Sequence, residues 1–334
     1  MLLVGFAIFF CGCAGDWAVK SGPEERPGRK PRNMPLVYII ILNYRNYIDT
    51  ISCVRSIEAI RYPNCHVVIV DNHSDNESEA ILRQELTQYR VVQAGRNGGY
   101  AQGNNVGIRM ALEEGADYVL LLNNDTKIEP DFLSILVSYA EQDPTAGVLG
   151  PMIVTEDGHI DRTCARRRPP LADYFWRVGP GRWFAPDNRW VRAHHYQHEY
   201  DFGEIAAVDV ISGSCMLLRA DLLREIGLLD ENTFLYLEEF ILHEKLRDTK
   251  YRTVIVPSSR IVHRKGRSIS TIPPYKNVFA SLASLNYYLR RYRRVGALLR
   301  ALVLTSGALY RIPGLVKSLL RPGRREVRES QSFS

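Results

Sequence analysis

Short apolar runs that stop abruptly at polar residues recur along the first half of the chain. Leu36–Leu42 is a continuous, largely β-branched run and predicts a strand buried on both faces, ending at Asn43-Tyr44. His66–Val70 predicts a second strand closing on Asp71-Asn72-His73-Ser74, and Arg90–Gln93 a third, followed by Gly95-Arg96-Asn97-Gly98-Gly99-Tyr100. Tyr118–Asn123 predicts a fourth, whose end reads Asn123-Asn124-Asp125, and Gly147–Val154 a fifth. The stretches between them have helical spacing: Ile48–Ile60, with Ile48, Ile51, Val54 and Ile57 on one stripe, then Ser78–Leu86, Asn104–Glu114 and Pro130–Gln142. Alternation of this kind predicts an α/β fold, a mostly parallel sheet with helices on both faces. Open sheets of that class bind ligands at the carboxyl ends of their strands, so Asp71, Asn97, Asn104 and Asp125 are expected to line one cleft.

The tip of the fourth strand carries the first chemistry. Side chains alternate along a strand, so Asn123 and Asp125 are expected to point one way and Asn124 the other. An amide oxygen and a carboxylate two residues apart can reach one hard cation or one diphosphate; the same residues before Pro130 also suit a capped turn. A nicotinamide-type fold is excluded, because its G-x-G-x-x-G must follow the first strand, whereas here the glycines follow the third; a Walker A loop is absent as well.

The four tips occur in order as Ile39-Ile40-Ile41-Leu42-Asn43-Tyr44, Val70-Asp71-Asn72-His73-Ser74, Asn97-Gly98-Gly99-Tyr100-Ala101-Gln102-Gly103-Asn104-Asn105 and Leu122-Asn123-Asn124-Asp125. This series resembles the family 2 glycosyltransferases, in particular their bacterial rhamnosyltransferase-like branch, over about Pro35 to Ser270. The resemblance implies a GT-A type fold and a nucleotide-sugar donor held by Asn43, Tyr44, Asp71, Asn97, Gly103, Asn104, Asn123, Asn124 and Asp125. Asp71 would bond the nucleobase edge, and Asn97 with a helix start at Gly103-Asn104 would lie near the ribose and diphosphate, as helix N-termini favour anions. Turn or helix capping is the plainer reading of Asp71 and of Asn104-Asn105. Asn123-Asn124-Asp125 falls where the family often has Asp-x-Asp, which leaves Asp125 as the ligand of Mg²⁺ or Mn²⁺ with one carboxylate fewer.

Beyond the fifth strand the composition changes. Arg162–Arg192 is rich in arginine, with Trp176, Trp183 and Trp190 interleaved seven apart. Aromatic faces stack on sugars and arginines grip phosphate, so Trp176 and Trp183 are candidates for an acceptor pocket; packed tryptophans and solvated arginines are the plainer reading. Ser212-Gly213-Ser214, between expected strands at Ala207–Ile211 and Met216–Leu218, corresponds in the family to a turn lining the sugar or acceptor pocket. Phe234–Phe240 sets two acids, Glu238 and Glu239, into an apolar run, which is costly unless they are used or exposed. The resemblance makes Glu239 the catalytic base and Glu238 the runner-up, and Ile241 stands where relatives often keep another Asp. His263, after short strands at Thr253–Val256 and Arg260–Val262, corresponds to a residue that can face the metal; Arg264, Lys265 and Arg267 could neutralise a leaving diphosphate.

Composition fits an ordinary globular protein: 334 residues, 46% hydrophobic, 24% charged, net charge +6. Scattered cysteines without a C-x-x-C pair suggest a reducing compartment and no zinc site. Residues 1–34 combine a short apolar stretch with a Pro-, Gly- and charge-rich linker, expected to be a weak membrane anchor or a mis-assigned start before Met34. The expected domains are the glycosyltransferase unit over 35–272, with a basic aromatic insertion at 155–206, and basic amphipathic helices over 273–334. Mixed basic and apolar helices suit an anionic membrane surface, and Arg300 argues against a spanning helix. The expectation is an inverting glycosyltransferase, cytoplasmic and peripheral to the inner membrane. It moves a sugar such as rhamnose to a hydroxyl of a glycan precursor, lipid-linked, with no nucleic acid partner. A sugar-nucleotide nucleotidyltransferase would want a glycine-rich basic loop where Asn43-Tyr44-Arg45-Asn46 stands. A glycan- or lipid-binding protein without turnover is the remaining alternative, motivated by Asn123 and Ile241.

Overall fold

The computed structural model describes residues 34–174, 176, 179–185, 189–196, 200, 202–264 and 273–319. The expectations for the N-terminal segment, for Arg177, Lys265 and Arg267 and for the tail after 319 lie outside these residues. The strands are β1 Val37–Asn43, β2 Cys65–Asp71, β3 Arg90–Gln93, β4 Tyr118–Asn123, β5 Thr126–Ile128, β6 Ala146–Val154, β7 Ala165–Arg166, β8 Ala206–Val208, β9 Val210–Ile211, β10 Cys215–Arg219 and β11 Arg252–His263. The helices are α1 Tyr47–Ile57, α2 Ser78–Glu85, α3 Tyr100–Glu113, α4 Phe132–Gln142, α5 Gly181–Phe184, α6 Arg189–His194, α7 Ala220–Ile226, α8 Glu238–Leu246, α9 Pro274–Arg291 and α10 Ala297–Leu319.

Among the described residues the main sheet runs β3-β2-β1-β4-β10-β6-β11-β5, with β8 also paired to β11. Strands β1 to β4 are parallel, as are β6 and β11; β10, β5 and β8 run antiparallel to their neighbours. Ile39, Ile40, Ile41, Leu120 and Leu121 are completely buried, as strands covered on both faces must be. The two faces of β1 are told apart by their partners. Thr50 of α1 donates to Asn43 Oδ1 (2.8 Å) on one face. Gly103 of α3 lies on Leu42 on the other, where an added Cβ would sit 2.5 Å from a Leu42 methyl. Register then sets the polar tips side by side: Asn43 opposite Asp71, Asp71 opposite Gln93, and Leu42 opposite Asn123.

Several expected boundaries move. Helix α3 begins at Tyr100, four residues before the expected Asn104, because Gly99 (φ +91°) turns the chain and Tyr100 N donates to Phe234 O (3.1 Å). Pro130 precedes α4 rather than opening it; its carbonyl accepts from Arg61 N. The expected strand at Ala207–Ile211 divides between β8, on the main sheet, and β9, which pairs with β7. The two expected strands near the end are one, β11, with an irregularity between Val256 and Arg260.

Helices α9 and α10 pack on the sheet domain as a hairpin and belong to the same compact unit as the sheet. Tyr288 and Leu289 are fully buried in a second apolar cluster with Phe240, Ile241 and Tyr174. Tyr288 also donates to buried Glu244 (2.9 Å), which pairs with Arg168, and Ser284 Oγ donates to Leu235 O (2.8 Å). That last bond fixes the segment leading into α8.

Candidate active site

At the carboxyl edge of the sheet lies a cleft of about 480 Å³, within the size range of small-molecule sites. Its floor is the Ser212-Gly213-Ser214 turn between β9 and β10. The turn joins three elements through its backbone: Ser214 O accepts from Asn123 N (2.9 Å) at the tip of β4, Gly213 O accepts from the Tyr100 hydroxyl (2.6 Å) at the start of α3, and Gly213 N donates to Glu239 Oε1 (2.9 Å) on α8. A Cβ on Gly213 would stand 2.9 Å from that same carboxylate oxygen, so only glycine allows this approach. Burial, and after it the charges of Glu239 and Glu238, raise the Tyr100 phenol well above its ordinary pKa, so it stays a donor.

Both expected acids line the cleft. They differ in environment because adjacent helical residues face differently. Glu239 Oε1 also meets the Arg166 guanidinium at 3.0 Å, and among the described residues both contacts use that oxygen, leaving Oε2 for another partner. Glu238 is 8% exposed and its buried Oε1 has no hydrogen-bond partner. Burial first, and the charge of Glu239 second, push its carboxyl up to about 8. Helix α8 starts abruptly: Tyr236 and Leu237 have φ +70° and +73°, and Leu237 offers no side-chain cap.

Strand geometry stops at Asn123, and Asn124-Asp125 form the turn into β5, so the expected alternation does not carry through to Asp125. Asn123 lines the cleft, while Asn124 is turned inward, donating to Thr50 Oγ1 (2.9 Å) and Asn46 O (3.3 Å). Asp125, 4% exposed, meets His263 Nε2 at 3.1 Å across β5 and β11, and His263 Nδ1 is buried with no partner. Arg264 is ion-paired with Glu156 (2.7 Å), so its charge is already balanced.

Of the donor candidates Asn123 lines this cleft; Asp125, behind His263, does not, and neither do Asn124 and the remaining candidates along the same sheet edge. Asp71 is fully buried and saturated: Oδ1 accepts from Asn43 Nδ2 (2.7 Å) and Ser74 Oγ (2.7 Å), Oδ2 from Ser74 N (2.9 Å) and Gln93 Nε2 (2.8 Å). It therefore caps its own turn, and a base edge would have to displace one of these donors. The Tyr44 ring is covered by Arg45, 5.2 Å from its centroid. Asn97 Oδ1 accepts from Asn72 Nδ2 (3.1 Å) and Gly99 N (3.3 Å), shaping the loop before α3. Gly103 and Asn104 do not open a helix. Gly103 is pressed on β1, and Asn104 Nδ2 returns to Tyr100 O (2.9 Å) in the first turns of α3.

Trp176 and Trp183 are not in the cleft wall. Trp176 stacks on Trp190 (4.7 Å between centroids, 2° between planes), while Trp183 is half exposed beside Tyr310 of α10. The aromatic lining comes instead from Tyr100, Tyr174, Tyr236 and Phe240. Arg166 and Arg311, also in the wall, were not singled out from sequence; nothing local distinguishes Arg166 from its neighbours Arg167 and Arg168.

Comparison with known proteins agrees with this geometry. Residues 37–227 match the profile of Glycosyl transferase family 2. An N-acetylglucosaminyl-diphospho-decaprenol L-rhamnosyltransferase of Mycobacterium tuberculosis is 31% identical over 217 residues, 62% of this chain and 69% of the relative. A dTDP-rhamnosyl transferase, RfbF, of Shigella flexneri is 28% identical over 121 residues, 36% of this chain and 40% of the relative. A mannosyltransferase of Pyrobaculum calidifontis, solved with GDP-Man and Mn²⁺, has the same fold at a TM-score of 0.51, with 15% identity, covering 87% of this chain and 78% of that one. The fold is of the GT-A type, and the chain belongs to glycosyl transferase family 2, where it is similar to rhamnosyltransferases.

Proposed function

We propose that this glycosyltransferase moves a sugar, such as rhamnose from its dTDP-linked form, to a hydroxyl of a lipid-linked glycan precursor with inversion at the anomeric carbon. The observation that carries the reading is that the β4 tip, the Ser212–Ser214 turn and Glu239 share one cleft wall. A donor lying along the strand tips would bring its diphosphate to Asn123 and Asp125 and its anomeric carbon over Gly213. The acceptor hydroxyl attacks that carbon from the face opposite the diphosphate. Its proton passes to Glu239 Oε2 as the new C–O bond forms, and the bond to the diphosphate oxygen breaks. Arg166 and Gly213 N hold Oε1 so that Oε2 is the basic oxygen presented.

The Asp125–His263 pair fits a hard divalent cation. Mg²⁺ is commonly held by one or two carboxylates with the substrate's phosphates completing its shell, and Asp125 Oδ1 and His263 Nε2 already converge to 3.1 Å. Asp125 Oδ1 and His263 Nε2 would be its protein ligands. Mg²⁺ or Mn²⁺ bound there supplies charge that offsets the leaving diphosphate. The Pyrobaculum enzyme carries Mn²⁺ with its nucleotide sugar.

The acceptor reading draws support from the C-terminal hairpin. No described helix is long and apolar enough to cross a membrane. Helix α10 nevertheless exposes Leu298, Leu302, Leu309, Ile312 and Val316 along one stripe, with Phe279 of α9 and Trp183 and Phe184 of α5 also exposed. Arg290, Arg291 and Arg294 stand exposed at the hairpin turn. An apolar stripe beside basic residues suits the cytoplasmic face of an anionic bilayer, where nucleotide sugars are made.

The test is a panel of nucleotide sugars with a polyprenyl-diphospho-GlcNAc acceptor and Mn²⁺, read by product chromatography, with the anomeric configuration read by NMR. Transfer with inverted configuration, abolished in Glu239→Gln, is expected. Binding of donors without turnover across the whole panel would instead favour the non-catalytic binding protein. Co-sedimentation with phosphatidylglycerol vesicles, lost in Leu298→Glu/Leu302→Glu, tests the membrane face.

A further inference from the structure

Among the described residues, one guanidinium of the cleft wall has no carboxylate partner. Arg166 is matched by Glu239. Glu238 holds its proton near neutral pH. Asp125 is hydrogen-bonded to His263 (3.1 Å). Arg311, on the inward face of α10, is half-buried in the same wall, and its one hydrogen bond among the described residues goes to Gly307 O (3.1 Å) of its own helix. The nearby Tyr236 is a phenol, not a counter-ion, and burial lowers the guanidinium's pKa below its ordinary value, the sign of a charge held without compensation. A second guanidinium in the wall also has an unused donor: Arg166 Nε is buried and bonded to nothing. Removing a cation from water without an anion is unfavourable, and arginine's fork matches phosphate oxygens.

Helix α9 completes the surroundings. Asn277 and Ser281, one turn apart, give polar groups to this wall, while Val278 and Leu285 make it apolar beside them. The outer face of the helix that carries Arg311 bears the exposed Leu302–Leu309–Ile312 stripe. Among the described residues, this helix thus offers an apolar surface outward and, in the cleft wall, the Arg311 guanidinium without a carboxylate partner.

We propose that Arg311, with Asn277, forms the subsite for the phosphate that joins the acceptor's sugar to its lipid. This rests on the glycosyltransferase reading of the cleft and adds to it the residue that selects a phosphorylated acceptor over a neutral one. The acceptor lies with its lipid along the α10 stripe, its phosphate on Arg311 and its sugar hydroxyl toward Glu239. The donor diphosphate occupies the opposite end, at Asn123 and Asp125.

The test measures binding directly, so it does not depend on turnover. Farnesyl diphosphate, farnesol and dTDP are titrated separately into the full chain in detergent and followed calorimetrically, for the wild type, Arg311→Gln and Arg311→Lys. A charge-assisted bond to phosphate predicts that Arg311→Gln weakens farnesyl diphosphate by about tenfold or more, leaves farnesol and dTDP within about twofold, and that Arg311→Lys recovers most of the loss. Equal weakening of farnesyl diphosphate and farnesol, or no weakening, overturns the subsite. A loss confined to dTDP assigns Arg311 to the donor's diphosphate and also overturns it. Melting temperatures of both variants equal to wild type establish that the site, not the fold, has changed. Failure of every nucleotide sugar to react would sink the glycosyltransferase reading while leaving this result interpretable.

Discussion

The Glu238 carboxyl gives the fold a pH dependence that can be isolated by one substitution, Glu238→Gln. In the unfolded chain this group titrates near 4.5, and in the folded protein near 8. Below 4.5 both states are protonated and the group's favourable contribution is fully present. As pH rises, the unfolded chain ionises first while the folded one keeps its proton, so stability falls by about 1.4 kcal/mol per pH unit until the folded group also ionises near 8. The full span corresponds to roughly 5 kcal/mol, a large share of a domain's net stability. Glutamine has the same shape and cannot ionise, so the variant lacks this slope. Urea unfolding from pH 5 to 8.5 is the assay, with the difference between variant and wild type as the readout, because other titrating groups largely cancel in it. The variant is expected to gain on the wild type by at least about 2 kcal/mol across that range. A difference that stays flat would refute the reasoning, since it would mean that Glu238 ionises in the folded protein as freely as in the unfolded chain.

Glu239→Gln should lower kcat by about a hundredfold to ten-thousandfold with little change in donor KM, the signature of a lost general base; an unchanged kcat removes Glu239 from the chemistry. Gly213→Ala forces Cβ against Glu239 Oε1 and should lower kcat by at least about tenfold while dTDP binding, by calorimetry, stays within about twofold. Asp125→Asn should weaken Mn²⁺-dependent donor binding, seen as loss of the Mn²⁺-induced rise in melting temperature with dTDP-sugar present; an undiminished rise places the cation elsewhere. Gly99→Ala combines a positive φ with a clash on Phe234 O at 1.9 Å and should cost at least about 2 kcal/mol in urea unfolding, or prevent folding.

The strands were the legible part. β1, β2, β3, β4 and β6 were marked within about a residue because each is an apolar run stopped by a polar tip. Asn123 in the cleft was legible as the polar end of β4, whereas the inward turn of Asn124 belongs to the β4–β5 turn, fixed by its bond to Thr50. Contacts made across the fold were not legible. The start of α3 is set by Phe234, far along the chain, through a bond to Tyr100 N that no local signal carries. Trp176 and Trp190 were visible as a spacing of aromatics, but spacing could not say that the rings would stack on each other. Arg166 became part of the site only when Glu239, 73 positions later in the chain, folded back to it. β5, three residues long, offers too little pattern to separate it from a turn.

The three backbone bonds of the Ser212–Ser214 turn make it a rigid coupling between the halves of the catalytic apparatus. On the proposed reading, a nucleotide sugar docked at Asn123 would sit one backbone bond, Asn123 N to Ser214 O, from the turn whose Gly213 N holds the Glu239 carboxylate. If Glu239 is the base, as proposed, donor arrival would reach it through this turn, and an ordered sequence of binding, donor before acceptor, is the kinetic behaviour such a linkage favours.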